Sequence, residues 1–259
     1  MLAQVALIAQ IASAASVSAC VSAAAPALDH AIIVVRDLDR AAKTFRTAGF
    51  RIKAGRLHAN GLLNRHIKFR DGTEIELMTV HGSAGDEMAR DYADLLEAGE
   101  GGVYVALRAR NVATVQREAA SLGLDTRRSS SGVWPFLSFG RSSPAAAVFF
   151  TSGDVVVTDA DSIFQHVPRV TALAEVWLEG GPELGQLLRR LGARVCDTIT
   201  AVDGRIAQRY GLSSGTVVLL PVVGNARPRV LGAVLETPTG RRDKVQPHGQ
   251  FWIQYRAQH

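Results

Sequence analysis

"LDHAIIVVRDLDRAAKTFRTAGF", residues 28–50, reads as a strand running directly into a helix. The opening "LDHAIIVV" is rich in β-branched residues, which favour a pleated, packed surface over a helix. Asp37 stands where a helix N-cap is expected, Ala41, Phe45 and Ala48 recur at helical spacing, and Gly49 supplies the stop. Strand candidates follow at about 51 to 57, 64 to 70 and 73 to 80, so the first unit is βαβββ.

The same order recurs downstream. "GGVYVALRAR" (101–110) precedes the helical "NVATVQREAASLGL" (111–124) and strands ending in "AAAVFFTSG" (145–153). Aligning Gly49-Phe50 with Gly123-Leu124 also aligns Asp37 with Asn111, so one offset of 74 holds across the helix. A third copy starts at "VTALAEVWLE" (170–179), continues through "PELGQLLRRLGA" (182–193) and closes with "GTVVLLPVV" (215–223) and "PRVLGAVLET" (228–237). The expected fold class is therefore α+β, built from repeated βαβββ modules. Residues 1–27 form a leader, 28–240 one domain of three units (28–80, 101–158 and 169–237), and 241–259 a tail whose Phe251, Ile253 and Tyr255 alternate like a terminal strand.

In the first unit, "FRDGT" joins the last two strands, and the loop length decides which residues share a face. A two-residue loop at Asp71-Gly72 mixes His66 and Lys68 with Ile75 and Leu77. A three-residue loop with Gly72 in the left-handed position instead pairs Phe69 with Thr73, Lys68 with Glu74, Ile67 with Ile75 and His66 with Glu76. That register sorts Ile67, Phe69, Ile75 and Leu77 towards the helix. Asn64, His66, Lys68, Glu74, Glu76 and Met78 line the other face, where His30 joins them if Ala31, Ile33 and Val35 cover the helix.

Composition bounds the function. A chain of 259 residues with 47% hydrophobic content buries a substantial core. The formal charge of +5 is scattered in pairs such as Arg127-Arg128, with no basic block or aromatic ladder, so nucleic acid is not an expected partner. The uncharged "MLAQVALIAQIASAASVSACVSAAAPA" has an apolar stretch of signal-peptide length but no positive start. Four readings stay open: an exported signal, a lipobox "VSAC" with a lipid anchor at Cys20, a miscalled start codon, or a plain disordered leader on a cytoplasmic protein. No membrane span is expected elsewhere. Cys20 and Cys196 are too few for a thiolate cluster, and with one of them in a removable segment no disulfide is expected.

On "LDHAIIVVRDLDRAAKTFRTAGF", on His58, Asn60, Gly61 and Asn64, on "DGTEIEL" ending in Glu76, and on "FQH" at 164–166, the chain resembles the glyoxalase-like branch of the vicinal oxygen chelate superfamily. The resemblance implies paired sheets wrapped into a cup with helices outside. It also implies a divalent metal (Zn, Fe, Mn or Ni) held by residues on the first and last strands of a module, here His30 and Glu76. The pattern departs at Tyr104, which occupies the place of the second module's histidine, and at Leu62-Leu63 within the "NG..N" segment.

Each candidate carries two readings. His30 and Glu76 are metal ligands or a hydrogen-bonded pair closing a polar pocket. Glu74 and His66 are proton carriers, or they belong to cross-strand pairs at the sheet surface. His58 and Asn64 recognise a ligand oxygen or hold a turn. Trp134 is a pocket wall or a core plug, and His166 a ligand contact or a structural loop residue. Two ligand-binding functions compete, a metal-dependent lyase, isomerase or dioxygenase acting on a small oxygenated substrate and a non-catalytic protein that sequesters a small molecule in the same cup, beside a third reading as a structural or export-associated protein with a degenerate site. A small-molecule ligand is the expected partner in both, with a homodimer the oligomer allowed for. No P-loop, dinucleotide fingerprint or nucleophile elbow is present.

Overall fold

A computed structural model of the protein describes residues 20–129, 136–153, 157–167, 169–201, 203–238, 244–249 and 251–257. Trp134 and the leader up to residue 19 lie outside them. Elements run in the order β1 (Ala27–Val34), α1 (Leu38–Thr47), β2 (Lys53–Leu57), β3 (Leu62–Lys68), β4 (Glu74–Val80), α2 (Glu87–Ala98), β5 (Gly101–Arg108), α3 (Val112–Ala120), β6 (Thr126–Arg128), β7 (Phe136–Phe139) and β8 (Val148–Thr151). Then come a 3₁₀ turn at Asp161–Phe164, β9 (Ala172–Glu179), α4 (Pro182–Arg190), β10 (Arg194–Thr200), β11 (Ile206–Gly211), β12 (Thr216–Leu220), β13 (Val230–Thr237), β14 (Lys244–His248) and β15 (Phe251–Ala257). The class is α+β with mixed sheets, and among the described residues no helix is long and apolar enough to cross a membrane.

Sequence spacing explains the local structure. Asp37 caps α1 by accepting from the Arg40 N–H at 2.8 Å, and Asn111 caps α3 by accepting from the Ala113 N–H at 2.8 Å. Each of α1, α3 and α4 ends on a glycine of positive φ (Gly49, Gly123, Gly192). In each case the next residue returns its N–H to a carbonyl five positions back: Phe50 to Phe45, Leu124 to Ala119 and Ala193 to Leu188. The buried stripe of α1 is Leu38, Ala41, Ala42 and Phe45, whereas Ala48 is only half-buried at the C-cap. The offset of 74 holds for whole elements, since it carries β1 onto β5 and the start of α1 onto that of α3.

Three differences from the sequence expectation have physical causes. Helix α2 separates the first two series. Its Asp86 cap and buried Ala89 and Tyr92 are ordinary helix signals, in a stretch to which the repeat pattern assigns no element. After α4 the three strands are β10, β11 and β12, so β13 is additional to the third βαβββ series. The alternation of Phe251, Ile253 and Tyr255 does mark a strand, yet Trp252 is buried as well, because its ring lies over Gly232 of β13, where a Cβ would come within 2.1 Å of it.

The chain divides into two compact units. One gathers 20–28, 107–153 and 177–229, and contains α3 with the antiparallel β6-β7-β8 and α4 with the antiparallel β10-β11-β12. The other gathers 29–106, 154–176 and 230–259, in which strands follow the order β13-β5-β1-β4-β3-β2. Here β1 and β4 are parallel and flank one another at the centre, with α1 packed on β3 and β4. Ile33, Ile67, Phe69, Ile75 and Leu77 are fully buried against that helix side. The opposite side of β1, β3 and β4 is polar.

Candidate functional site

The β3–β4 hairpin adopts the three-residue loop, with Gly72 at φ 86° and the Phe69 N–H donating to Thr73 O at 2.9 Å. The pairs are Lys68 with Glu74, Ile67 with Ile75 and His66 with Glu76. In β1, His30 lies beside Glu74 and Ile32 beside Glu76. His30, Asn64, His66, Lys68, Glu74 and Glu76 therefore meet on one face, and it is not a solvated edge: Asn64 and Glu76 are only 5% and 8% exposed.

His30 and Glu76 face each other, with Nε2 3.7 Å from Oε2. That is an ion-pair distance and too long for a hydrogen bond. The remaining polar atom of each is anchored: His30 Nδ1 lies 2.6 Å from Asp29 Oδ1, and the Asn64 amide donates to Glu76 Oε1 at 2.6 Å. Asn64 in turn accepts from the Arg56 N–H at 2.9 Å. Gly55 in β2 permits this, because a Cβ there would sit 2.1 Å from Asn64 Oδ1 and 2.2 Å from its carbonyl oxygen.

Beside this pair runs a second network. His66 sits opposite Glu76 in the register, but its Nδ1 bonds diagonally to Glu74 Oε1 at 3.1 Å. Glu76 is therefore held by Asn64 and not by the residue opposite it in the register. Lys68 Nζ lies 3.1 Å from Glu74 Oε2 and 3.4 Å from Asp159 Oδ2, and Lys53 closes the chain on Asp159.

Charge follows from this packing. Burial opposes a charge on His30, yet the Asp29 hydrogen bond and the fields of Asp29, Glu76 and Glu74 outweigh it and raise the imidazole to about 9. Burial likewise works against the Glu74 carboxylate, and His66, His30 and Lys68 overcome it, bringing it to about 2. At neutral pH the face thus carries an imidazolium at His30 and a carboxylate at Glu74. Burial and then the Arg56 charge lower His58, keeping it a neutral imidazole. Its Nε2 is buried with no hydrogen-bond partner among the described residues, and its charge state is coupled to Glu76 and His66.

His166 is placed differently. Its Nδ1 accepts from the Arg51 N–H at 3.0 Å, its Nε2 meets Lys68 O at 2.9 Å, and its ring packs against Phe50 and Phe69. Both nitrogens are committed to backbone, so this histidine pins the 3₁₀ turn segment to the hairpin. In the turn after β2, Asn60 does the local holding: it accepts from the Leu62 N–H at 3.2 Å and donates to Asp86 at 3.0 Å. Asp29, Lys53 and Asp159 join the site without being among the candidates the sequence offers. An aspartate directly before a candidate histidine was a usable signal for the first.

A divalent metal, which the family resemblance implies, is tested by the donor set. His30 Nε2 and Glu76 Oε2 are two donors, each steadied by a second residue as metal ligands are. Among the described residues, however, no three His, Cys, Asp or Glu side chains come together as a ligand set. Tyr104, in the place of the second module's histidine, donates its hydroxyl to Asp91. The described residues do not fit a protein-held divalent ion.

The βαβββ series and its polar face agree with the expected glyoxalase-like member of the vicinal oxygen chelate superfamily. Residues 28–178 match the family model described as a glyoxalase-like domain, and the chain belongs to that family. Among solved structures, a hypothetical protein from Staphylococcus aureus is similar with a TM-score of 0.61 at 12% identity, over 89% of this chain and 99% of that one. A mutant of 4-hydroxymandelate synthase from Streptomyces coelicolor is similar with a TM-score of 0.60 at 11% identity, over 90% of this chain and 92% of that one. Likeness at these identities concerns the fold. No curated protein matches the sequence.

Proposed function

We propose that the protein binds a small oxygenated compound, such as a 2-oxo or 2-hydroxy acid, against the polar face of β1, β3 and β4. One observation carries this reading: His30 Nε2 and Glu76 Oε2 stand 3.7 Å apart, with their other polar atoms anchored by Asp29 and Asn64. The imidazolium donates to a carbonyl or carboxylate oxygen, and the carboxylate accepts from a hydroxyl. Side chains held in this way lose little freedom when a ligand arrives.

A second reading adds chemistry to the same site. Glu76, almost excluded from water and beside a cationic donor, is arranged to take a proton from carbon next to a carbonyl whose oxygen His30 polarises. In this reading the protein is a proton-transferring isomerase or lyase, and no step passes through a metal.

The test is a melting-curve screen of the full chain against pyruvate, lactate, 2-oxobutyrate and catechol, with and without chelator, followed by calorimetry on any hit. A chelator-insensitive hit lost in His30→Ala and Glu76→Gln supports binding, and solvent deuterium entering the bound compound supports proton transfer. Elemental mass spectrometry finding a near-stoichiometric metal that Glu76→Ala abolishes would overturn the metal-free reading.

A further inference from the structure

In the unit that contains α4 and β10–β12, residues 20–28 form a strap. The Ser22 N–H donates to Leu212 O at 3.0 Å and its hydroxyl to Gly192 O at 2.5 Å. The Ser213 N–H donates to Pro26 O and the Leu28 N–H to Ser214 O, both at 3.0 Å, while Arg110 donates to Ala23 O at 2.8 Å. The seat is shaped for this segment. A Cβ on Gly211 would lie 1.9 Å from Cys20 O, and one on Gly192, at φ +97°, would lie 3.1 Å from Ala24. Residues 20–26, counted with the leader from sequence, thus belong to a folded unit.

The strap carries Cys20 to β10, where its Cα lies 5.5 Å from that of Cys196 and the two sulfurs are bonded. This corrects the expectation of no disulfide: a spacing of 176 residues says nothing of proximity until the strap is placed.

We propose that Cys20 and Cys196 are a modification site for a protein disulfide oxidant of an oxidising compartment, and that the disulfide takes the sulfur a lipid would otherwise carry. One cysteine thiolate attacks the oxidant's disulfide, forming a mixed disulfide and freeing one oxidant sulfur. The second thiolate then displaces the other oxidant sulfur. Two thiols of this chain are oxidised, the oxidant's disulfide is reduced to a dithiol, and the two protons pass to it. Such bonds persist in exported proteins and are reduced in an ordinary cytosol. The bond closes a long loop, so it restricts the unfolded chain while the strap's hydrogen bonds align the thiols in the folded one.

The experiment uses the full chain in an export-competent bacterial host, quenched in acid and treated with N-ethylmaleimide before or after reduction, with tryptic peptides read by mass spectrometry. The expected result is a peptide ending at Arg36 joined to Val195–Arg205, with no maleimide on either before reduction and one on each after. Two maleimides before reduction overturn the proposal. So does a diacylglyceryl mass on the Cys20 peptide with Cys196 alkylated. As a second readout, reduction is expected to lower the melting midpoint of the wild type by roughly 5 to 15 °C and to leave Cys196→Ser unmoved. A wild type that melts at one temperature in both states overturns the structural role.

Discussion

His30 and Glu74 are neighbours across β1 and β4 whose pKa values move in opposite directions, and the pH dependence of stability is the direct readout. His30 titrates near 9 when folded against 6.5 unfolded, so its contribution is complete below 6.5 and is lost as pH rises towards 9. Glu74 titrates near 2 against 4.5, so its contribution is complete above 4.5 and is lost as pH falls towards 2. Urea midpoints should therefore plateau between about 4.5 and 6.5 and decline on both sides. His30→Gln should flatten the alkaline limb and Glu74→Gln the acid limb; a wild type still gaining stability from pH 6.5 to 9 contradicts the charge assignment. Asn64 is the other residue to test. Asn64→Ala strands Glu76 Oε1 and the Arg56 N–H, and should cost roughly 1 to 3 kcal/mol in chemical denaturation. Alternation identified which side chains share the polar face. It was silent on Asn64 as the residue that holds Glu76, because the amide is turned towards Glu76 by the Arg56 N–H of the neighbouring β2.

For the elements, the readable parts were those with local causes. The Asp37 cap, the glycine stops and the Gly72 loop each depend on a few neighbouring residues, and all occur as the spacing demands. Asp37→Ala should cost about 1 kcal/mol through the loss of the bond to the Arg40 N–H. Gly72→Ala, at φ 86°, should cost about 1 kcal/mol or more and weaken the hairpin register that pairs His66 with Glu76. Both are read from unfolding curves, with amide exchange across β3 and β4 reporting the register. Helix α2 had comparable signals in Asp86, Ala89 and Tyr92. It was passed over because it lies between two repeats, where the pattern of the repeat offers no slot.

At the level of the whole molecule, close approaches between strands set what substitutions are tolerated. Gly55→Ala should lose roughly 1 to 3 kcal/mol, and any ligand affinity of the polar face with it, since the new methyl meets backbone as well as the Asn64 amide. The size of that loss relative to Asn64→Ala separates displacement of β3 from simple loss of a hydrogen bond. Local patterns carry the α+β class, the offset of 74 that takes β1 onto β5, and the hairpin register that sets His66 and Glu76 on one face. Each of these follows from a period or a turn, which are properties of consecutive residues. Tertiary packing was needed to show that Asp159 and Lys53 join Lys68, that His166 serves the backbone, that two donors and not three converge near Glu76 among the described residues, and that Cys20 meets Cys196. Those contacts join segments far apart in the chain, and their formation depends on how whole strands and loops pack, which no local pattern encodes.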